Sequence, residues 1–289
     1  MGARMIARIG TYLSFVRFSH SVFALPFALT GALLSSGEHP LTWTRVAWII
    51  AAMVAARSAA MGFNRLVDAH YDAQNPRTAM RELPRGAMSR TEAAIFVAVT
   101  SVAFIAAAWM INPLCAALSP LALAIVFWYS LAKRYTSYTQ AFLGLAMAVA
   151  PVGGWLAAGG ALGRWEPWLL GAAIGLWVGG FDVLYACQDY AFDREHGLRS
   201  IPVRFGIERS LLISRGMHVA TILCMATLAL VIPLGPIYLI GVALVAALLT
   251  YEQSLVSSTD LSQVKRAFDM NGYVGILYFL TTAAAVFVR

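Results

Sequence analysis

Apolar runs of about 18–20 residues recur along the whole of this sequence, and that is the length a helix needs to cross the hydrocarbon of a bilayer. Nine such spans are predicted, at about 18–36, 43–62, 93–111, 114–132, 138–158, 168–188, 211–232, 234–250 and 271–288. The alternative is a soluble helical protein with a large core. Composition argues against it: 60% of the residues are hydrophobic and 12% charged, whereas soluble domains carry roughly 45–50% and 25%. The expected fold is therefore all-α, a polytopic membrane protein of nine transmembrane helices around a central cavity, with residues 1–289 forming a single transmembrane domain.

The joins between spans fit this reading. Asn112-Pro113 and the stretch from Pro233 to Pro236 carry turn residues and no charge, so each predicts a tight hairpin. Pro26, Pro120 and Pro151 fall inside spans and predict kinks. The basic start runs into the first apolar run without a small-residue cleavage site, so no cleavable signal peptide is expected. Ile6 stands where N-myristoylation requires Ser or Thr. Cys115, Cys187 and Cys224 lie apart in apolar segments, as small packed residues would.

Charge sets the orientation. With the N-terminus inside and the spans alternating, every Lys and Arg except Arg45, Arg57, Arg164 and Arg289 falls on the inner side. Positive residues favour the cytoplasmic face. The N-terminus and the long loops at about 63–92 and 189–210 are expected there, in a bacterial cytoplasmic (inner) membrane, with the C-terminus outside. The net charge of +7 then follows from topology and membrane lipid, without a nucleic-acid partner.

The unusual residues gather in those two inner segments. In "GFNRLVDAHYDAQNPRT", Asn64, Asp68 and Asp72 recur every four residues. If the second helix runs past Gly62, they form a stripe rising about 12 Å. All three offer oxygen ligands, which suit Mg²⁺ sharing its shell with substrate phosphates. The alternative is a solvated helix end with ordinary ion pairs, such as Asp68 with Arg65. In "GGFDVLYACQDYAFDREHGLRS", Asp182, Asp189 and Asp193 sit at i, i+7 and i+11, so a regular helix would turn them all one way, with Tyr185 beside them. An acid at the depth of Asp182 is costly and marks a functional site, unless an arginine of a neighbouring helix pairs with it.

Both ladders close a span at the same face, and arginines follow each. Six acid or amide ligands, two metal ions and a ring of cations fit a diphosphate, whose oxygens Mg²⁺ bridges while Arg and Lys neutralise the rest. Such a ligand has an anionic head at the inner surface and a hydrocarbon tail in the bilayer. The interleaved arginines argue against a cation pathway.

"NRLVDAHYD" matches the NxxxDxxxD motif of the UbiA superfamily of intramembrane aromatic prenyltransferases, and "DVLYACQDYAFD" resembles its DxxYxxxDxxxD motif. "WYSLAKRYT" resembles the family's Tyr-x-x-x-Lys-Arg element, and "NPRT" its basic segment. The likeness covers nearly the whole chain. Where 4-hydroxybenzoate enzymes begin with an Arg-x-Asp-Lys-Pro-like stretch, this chain has "VRFSHSVFALPFAL". With "RSAAMGFNR", "RELPRG" and "SIPVRFG", that resembles the branch associated with menaquinone made by the futalosine route.

The resemblance implies Mg²⁺-dependent transfer of a prenyl group from an allylic polyprenyl diphosphate to an aromatic acid, 4-hydroxybenzoate or hydroxynaphthoate in type, in ubiquinone or menaquinone biosynthesis. It implies a metal set of Asn64, Asp68, Asp72, Asp182, Asp189 and Asp193, with Asp68, Asp72, Asp189 and Asp193 closest to catalysis. It implies a diphosphate set of Arg77, Lys133, Arg134 and Arg199, with Tyr185 facing the developing cation. Arg57, seven residues before Asn64, shares the ladder's face about 10 Å deeper. It could hold the acceptor's carboxylate, or pair with Asp182 or another buried acid. His20 and His218 read as packed, hydrogen-bonded histidines. Gly153-Gly154 and Gly179-Gly180 read as close helix contacts. Other readings are a UbiA-like transferase on another aromatic or porphyrin acceptor, or a secondary transporter of an anionic solute.

Overall fold

Every regular element is helical in the computed structural model, which describes residues 2–16, 24–37 and 40–288. In chain order the helices are α1 (Gly2–Phe15), α2 (Leu25–Ser35), α3 (Trp43–Gln74), α4 (Arg90–Ile111), α5 (Pro113–Ala132) and α6 (Thr139–Ala157). They continue with α7 (Glu166–Ala186), α8 (Tyr190–Glu195), α9 (Ile201–Phe205), α10 (Ile207–Val231), α11 (Gly235–Ser254) and α12 (Val264–Phe287). Among the described residues eight helical segments are long and apolar enough to cross a membrane: α3 to α6, α7 run together with α8, and α10 to α12. This is an integral membrane protein. The expected first span, 18–36, is represented by the shorter apolar α2. Residues 18–23, His20 among them, lie outside the described residues.

Local chemistry explains the helix ends. Ser89 and Glu92 form a reciprocal capping box that starts α4, with bonds of 3.1 and 2.9 Å. Asn112 ends α4 and starts α5. Its Oδ1 accepts from the Cys115 amide at 2.7 Å, and its Nδ2 donates to the Leu156 carbonyl at 2.9 Å. Pro26 sits in the first turn of α2, where its missing N–H costs nothing, so the kink expected there does not arise. Pro120 and Pro151 do lie inside α5 and α6. α3 runs unbroken through Gly62 to Gln74, as the first ladder requires.

The core is built around α7. Trp177, Leu170 and Ile174 of α7 are fully buried with Phe27 of α2, Met225 and Leu228 of α10, Tyr238 of α11 and Tyr278 of α12. Large apolar side chains such as Ile95, Val99, Val102, Leu212, Val219 and Leu223 point outward, as lipid-facing positions do. Trp43, Trp109, Trp165 and Trp168 ring one end, and Trp128, Tyr135 and Tyr138 the other, in the manner of interfacial belts.

Glycine lets three helices approach backbone to backbone. A Cβ on Gly154 of α6 would collide with the Ala28 carbonyl of α2, and one on Gly144 of α6 with the Gly175 carbonyl of α7. Gly179 and Gly180 are tight against α6 and α10, whereas Gly153, expected to be a close contact, has open space. Gly154→Ala is therefore expected to destabilise by about 1–3 kcal/mol through overpacking. The adjacent Gly153→Ala should be neutral, or stabilising by up to about 1 kcal/mol from helix propensity. Thermal unfolding in detergent distinguishes them, and equal melting temperatures would contradict this packing.

Candidate active site

One end of the bundle collects the C-terminal parts of α3 and α7, the α5–α6 turn, the loop 75–89 and the short helices α8 and α9. α3 carries the first ladder on one continuous helix. Asp68 and Asp72 are 4% and 6% exposed, too buried to be solvated helix-end charges. Asp68 accepts from Lys133 Nζ at 2.9 Å, from Arg134 Nη2 at 3.1 Å and from Asn64 Nδ2 at 3.2 Å. Asp72 accepts two bonds from Arg81 Nη1, at 2.7 and 2.8 Å. Breaking such a buried pair by removing one partner costs about 3–5 kcal/mol. The pairing of Asp68 with Arg65 does not form. Arg65 donates instead to Glu82 at 3.4 Å, and Glu82 also accepts from Ser14 of α1.

The second ladder departs from a regular helix. α7 ends at Ala186, Cys187–Asp189 form a 3₁₀ turn, and α8 resumes at Tyr190. A 3₁₀ turn winds faster than an α-helix, so three such residues rotate Asp189 and Asp193 by roughly 60° relative to Asp182. The common face expected from the spacing is thus re-aimed. Arg77 grips Asp189 through Nε at 3.2 Å and Nη2 at 2.5 Å, and donates from Nη1 to the Tyr185 hydroxyl at 2.9 Å. Burial opposes the charge on Arg77, but Asp189 and Tyr185 more than offset this, and its pKa lies above the ordinary arginine value. Asp182 makes no hydrogen bond or ion pair with any described residue; the carboxylates it faces are Asp189 and Asp193.

Two cations join the ladders. Lys133, bonded to Asp68, also lies within electrostatic reach of Asp193. Arg77, bonded to Asp189, is within reach of Asp72 and Asp193. Lys133 and Arg134 stand over the Tyr71 ring, 5.7 and 5.6 Å from its centroid. Arg199 Nη1 donates to the Tyr135 carbonyl at 2.7 Å, and its amide to the Lys133 carbonyl at 2.9 Å. It ties the segment between α8 and α9 to the turn that carries Lys133.

Arg57 lies on α3 and forms no ion pair with a described residue, so it is not the partner of Asp182. Its Nε is buried without a hydrogen-bond partner among the described residues. Tyr129 of α5 is within electrostatic reach of Arg57, Asp68 and Asp182. His218 is a packed, hydrogen-bonded histidine, its Nδ1 3.0 Å from Gln253 Nε2.

Sequence reasoning missed Arg81 and Tyr71. Tyr71, three residues after Asp68, shares the ladder's face and could have been found by its period. Arg81 could not, because it reaches Asp72 through the folded loop 75–89, which has none.

Among the described residues no three His, Cys, Asp or Glu side chains yet converge on one point that could hold a metal ion. The donor chemistry nevertheless fits a divalent ion. The ladders supply carboxylate and amide oxygens alone, and Asp182 faces two like charges with no cation of its own. Such a fit needs the acids to exchange some of their present Arg and Lys partners for the ion, and leaves those cations free for an anion.

Residues 24–280 match the UbiA prenyltransferase family. The chain is 30% identical over 249 residues to the 4-hydroxybenzoate octaprenyltransferase of Vibrio vulnificus strain CMCP6, covering 86% of this chain and 87% of that one. It is 34% identical over 227 residues to the protein of the same name from Alkalilimnicola ehrlichii, covering 78% and 76%. The apo structure of a UbiA homolog from Aeropyrum pernix K1 superposes with a TM-score of 0.85 at 38% identity, over 93% of this chain and 98% of that one. A UbiA homolog from Archaeoglobus fulgidus bound to GPP and Mg²⁺ shares the fold, with a TM-score of 0.71 at 19% identity over 96% and 99%.

Proposed function

This chain belongs to the UbiA prenyltransferase family as an aromatic prenyltransferase, and from that premise we propose that it transfers a polyprenyl chain from an allylic polyprenyl diphosphate to an aromatic acid in quinone biosynthesis. The observation that carries the reading is the meeting of two acid ladders at one end of the bundle, with Lys133 and Arg77 between them. A transporter site would be expected near the midplane in broken helices. The acceptor in the relatives' names, 4-hydroxybenzoate, makes an acid of that type the first candidate, with hydroxynaphthoate the second. Residues 1–289 act as one domain in the cytoplasmic membrane, with the N-terminus and the ladders on the cytoplasmic side.

In this mechanism Asn64, Asp68 and Asp72 would hold one Mg²⁺ and Asp182, Asp189 and Asp193 another. When bound, these ions draw charge onto the leaving diphosphate. Lys133, Arg134, Arg77 and Arg81, released from the acids, neutralise the diphosphate oxygens as the allylic C–O bond breaks and its electron pair leaves with the diphosphate. Preorganised charge of this kind is usually the largest catalytic contribution. Arg199 holds Lys133 in place through the α5–α6 turn. The allylic carbon bonds to a ring carbon of the acceptor, which then loses a proton. The Tyr185 and Tyr71 rings offer π-faces to positive charge. The buried site keeps water from the electrophile.

Arg57 reads the acceptor. A guanidinium in the membrane whose buried Nε has no partner among the described residues is costly, and a carboxylate matches its planar fork. Arg57→Lys keeps the charge and loses the fork. It is expected to raise the KM for the aromatic acid by about 10-fold or more, the loss of roughly one charge-assisted hydrogen bond, with little change for the prenyl diphosphate. A loss confined to the diphosphate would place Arg57 with the phosphate-binding cations. The reaction itself is tested with purified protein, a panel of aromatic acids and polyprenyl diphosphates, and product masses. Absence of any prenylated acid across that panel would overturn the reading.

A further inference from the structure

On the face of α7 that meets α10 and α12 lies a buried polar network that the reaction does not use. Trp177 Nε1 of α7 donates to Asn271 Oδ1 of α12 at 2.7 Å, and Asn271 Nδ2 donates to Glu252 Oε1 of α11 at 3.1 Å. All three are at most 1% exposed. A second branch starts one residue along α11. Gln253 Nε2 donates to Ser214 Oγ of α10 at 2.8 Å and approaches His218 Nδ1 at 3.0 Å, and Ser214 Oγ donates to the Gly180 carbonyl of α7 at 2.8 Å. Gly180 is glycine because a Cβ there would collide with the His218 ring.

This arrangement is expensive. Glu252 Oε2 and Gln253 Oε1 are buried without partners among the described residues. A half-satisfied polar network is less stable than apolar side chains filling the same space. Stability alone therefore does not account for it. Geometry does: both branches end on α7, at Trp177 and Gly180, within about 8 Å and 3 Å of rise from Asp182. The other main contact of α7 is the glycine-lined face of α6, where backbones touch and Val152 and Met147 pack, but where no side-chain hydrogen bond joins the two helices among the described residues. Hydrogen bonds are directional and fix the helix's rotation.

We propose that Glu252, Asn271 and Gln253 are positioning residues for the second ladder, setting the rotation and depth at which Asp182, Asp189 and Asp193 face the first. The inference rests on the ladders being the metal site. Its test is Mn²⁺ binding to the purified protein in the presence of inorganic diphosphate, followed by the electron-paramagnetic-resonance signal of free Mn²⁺, alongside thermal unfolding and kinetics. Glu252→Leu and Asn271→Leu are expected to weaken Mn²⁺ binding by about 10-fold, the low end for residues that orient ligands, and to lower kcat while leaving the KM for the aromatic acid unchanged. Glu252→Gln keeps the acceptor for Asn271 and is expected to bind Mn²⁺ as the unmodified protein does. Tyr278→Phe supplies the control. It removes a buried hydroxyl from the same helix pair, bonded at 2.8 Å to Tyr238, while Tyr238 still donates to the Met225 carbonyl. It should lower the melting temperature without changing Mn²⁺ affinity. If the leucine variants do not fold, Trp177→Phe, which removes the indole donor together with part of the buried ring while keeping an aromatic side chain, carries the same expectation. Unchanged Mn²⁺ affinity in the network variants would overturn the proposal, as would an equal loss in Tyr278→Phe. Failure of the unmodified protein to bind Mn²⁺ would overturn the metal reading and this inference with it.

Discussion

Asp68→Ala and Asp189→Ala, made separately, are each expected to lower kcat by about 100- to 1,000-fold, the range seen when one preorganised electrostatic partner of the developing charge is removed. The two acids belong to different ladders and are held by different cations: Lys133 and Arg134 on Asp68, Arg77 on Asp189. Neither can replace the other, because each is fixed to its own helix. The loss should persist at saturating Mg²⁺, and the double variant should be little worse than either single one, as for residues that act as a unit. Asp68→Ala also strands Lys133 and Arg134 beside a vacated buried site, so its melting temperature should fall further than that of Asp189→Ala, whose partner Arg77 is more exposed. Steady-state kinetics with thermal unfolding checks both. Near-normal kcat in either variant would remove that ladder from the site.

Chelation is expected to have an effect at least as large. Dialysis against EDTA should lower turnover by about 1,000-fold or more, with recovery on adding excess Mg²⁺ or Mn²⁺, since a bound divalent ion supplies several kcal/mol at the leaving oxygen and each 1.36 kcal/mol is a factor of ten. The cations cannot stand in for the ion. Lys133, Arg134, Arg81 and Arg77 are each bonded to a ladder acid. Full turnover in excess EDTA would refute the metal set while leaving the ion-pair geometry intact.

Two features legible in the residues hold in three dimensions for the same reason. The apolar runs become helices because a chain in hydrocarbon satisfies its backbone only within itself. The four-residue spacing of Asn64, Asp68 and Asp72 puts them on one side of α3 because that helix is unbroken from Trp43 to Gln74. Both are consequences of a local, periodic backbone. The second ladder has a helical spacing, but the 3₁₀ turn at Cys187–Asp189 changes the rotation per residue where the face matters.

The sequence by itself determined the class of protein, the helices, the end of the bundle where chemistry gathers and the acids that gather there. The tertiary structure alone decided which cation each acid meets. Arg81 reaches Asp72 and Arg77 reaches Asp189 through a folded loop, Arg199 binds a backbone carbonyl of the α5–α6 turn, Arg57 is left without an acidic partner among the described residues, and Trp177, Asn271 and Glu252 meet from three helices. The physical reason is range. Helix formation and ladder spacing depend on neighbours within a few residues, whereas a salt bridge between residues 77 and 189, or a hydrogen bond between 177 and 271, depends on how separate helices pack, and no periodicity records that.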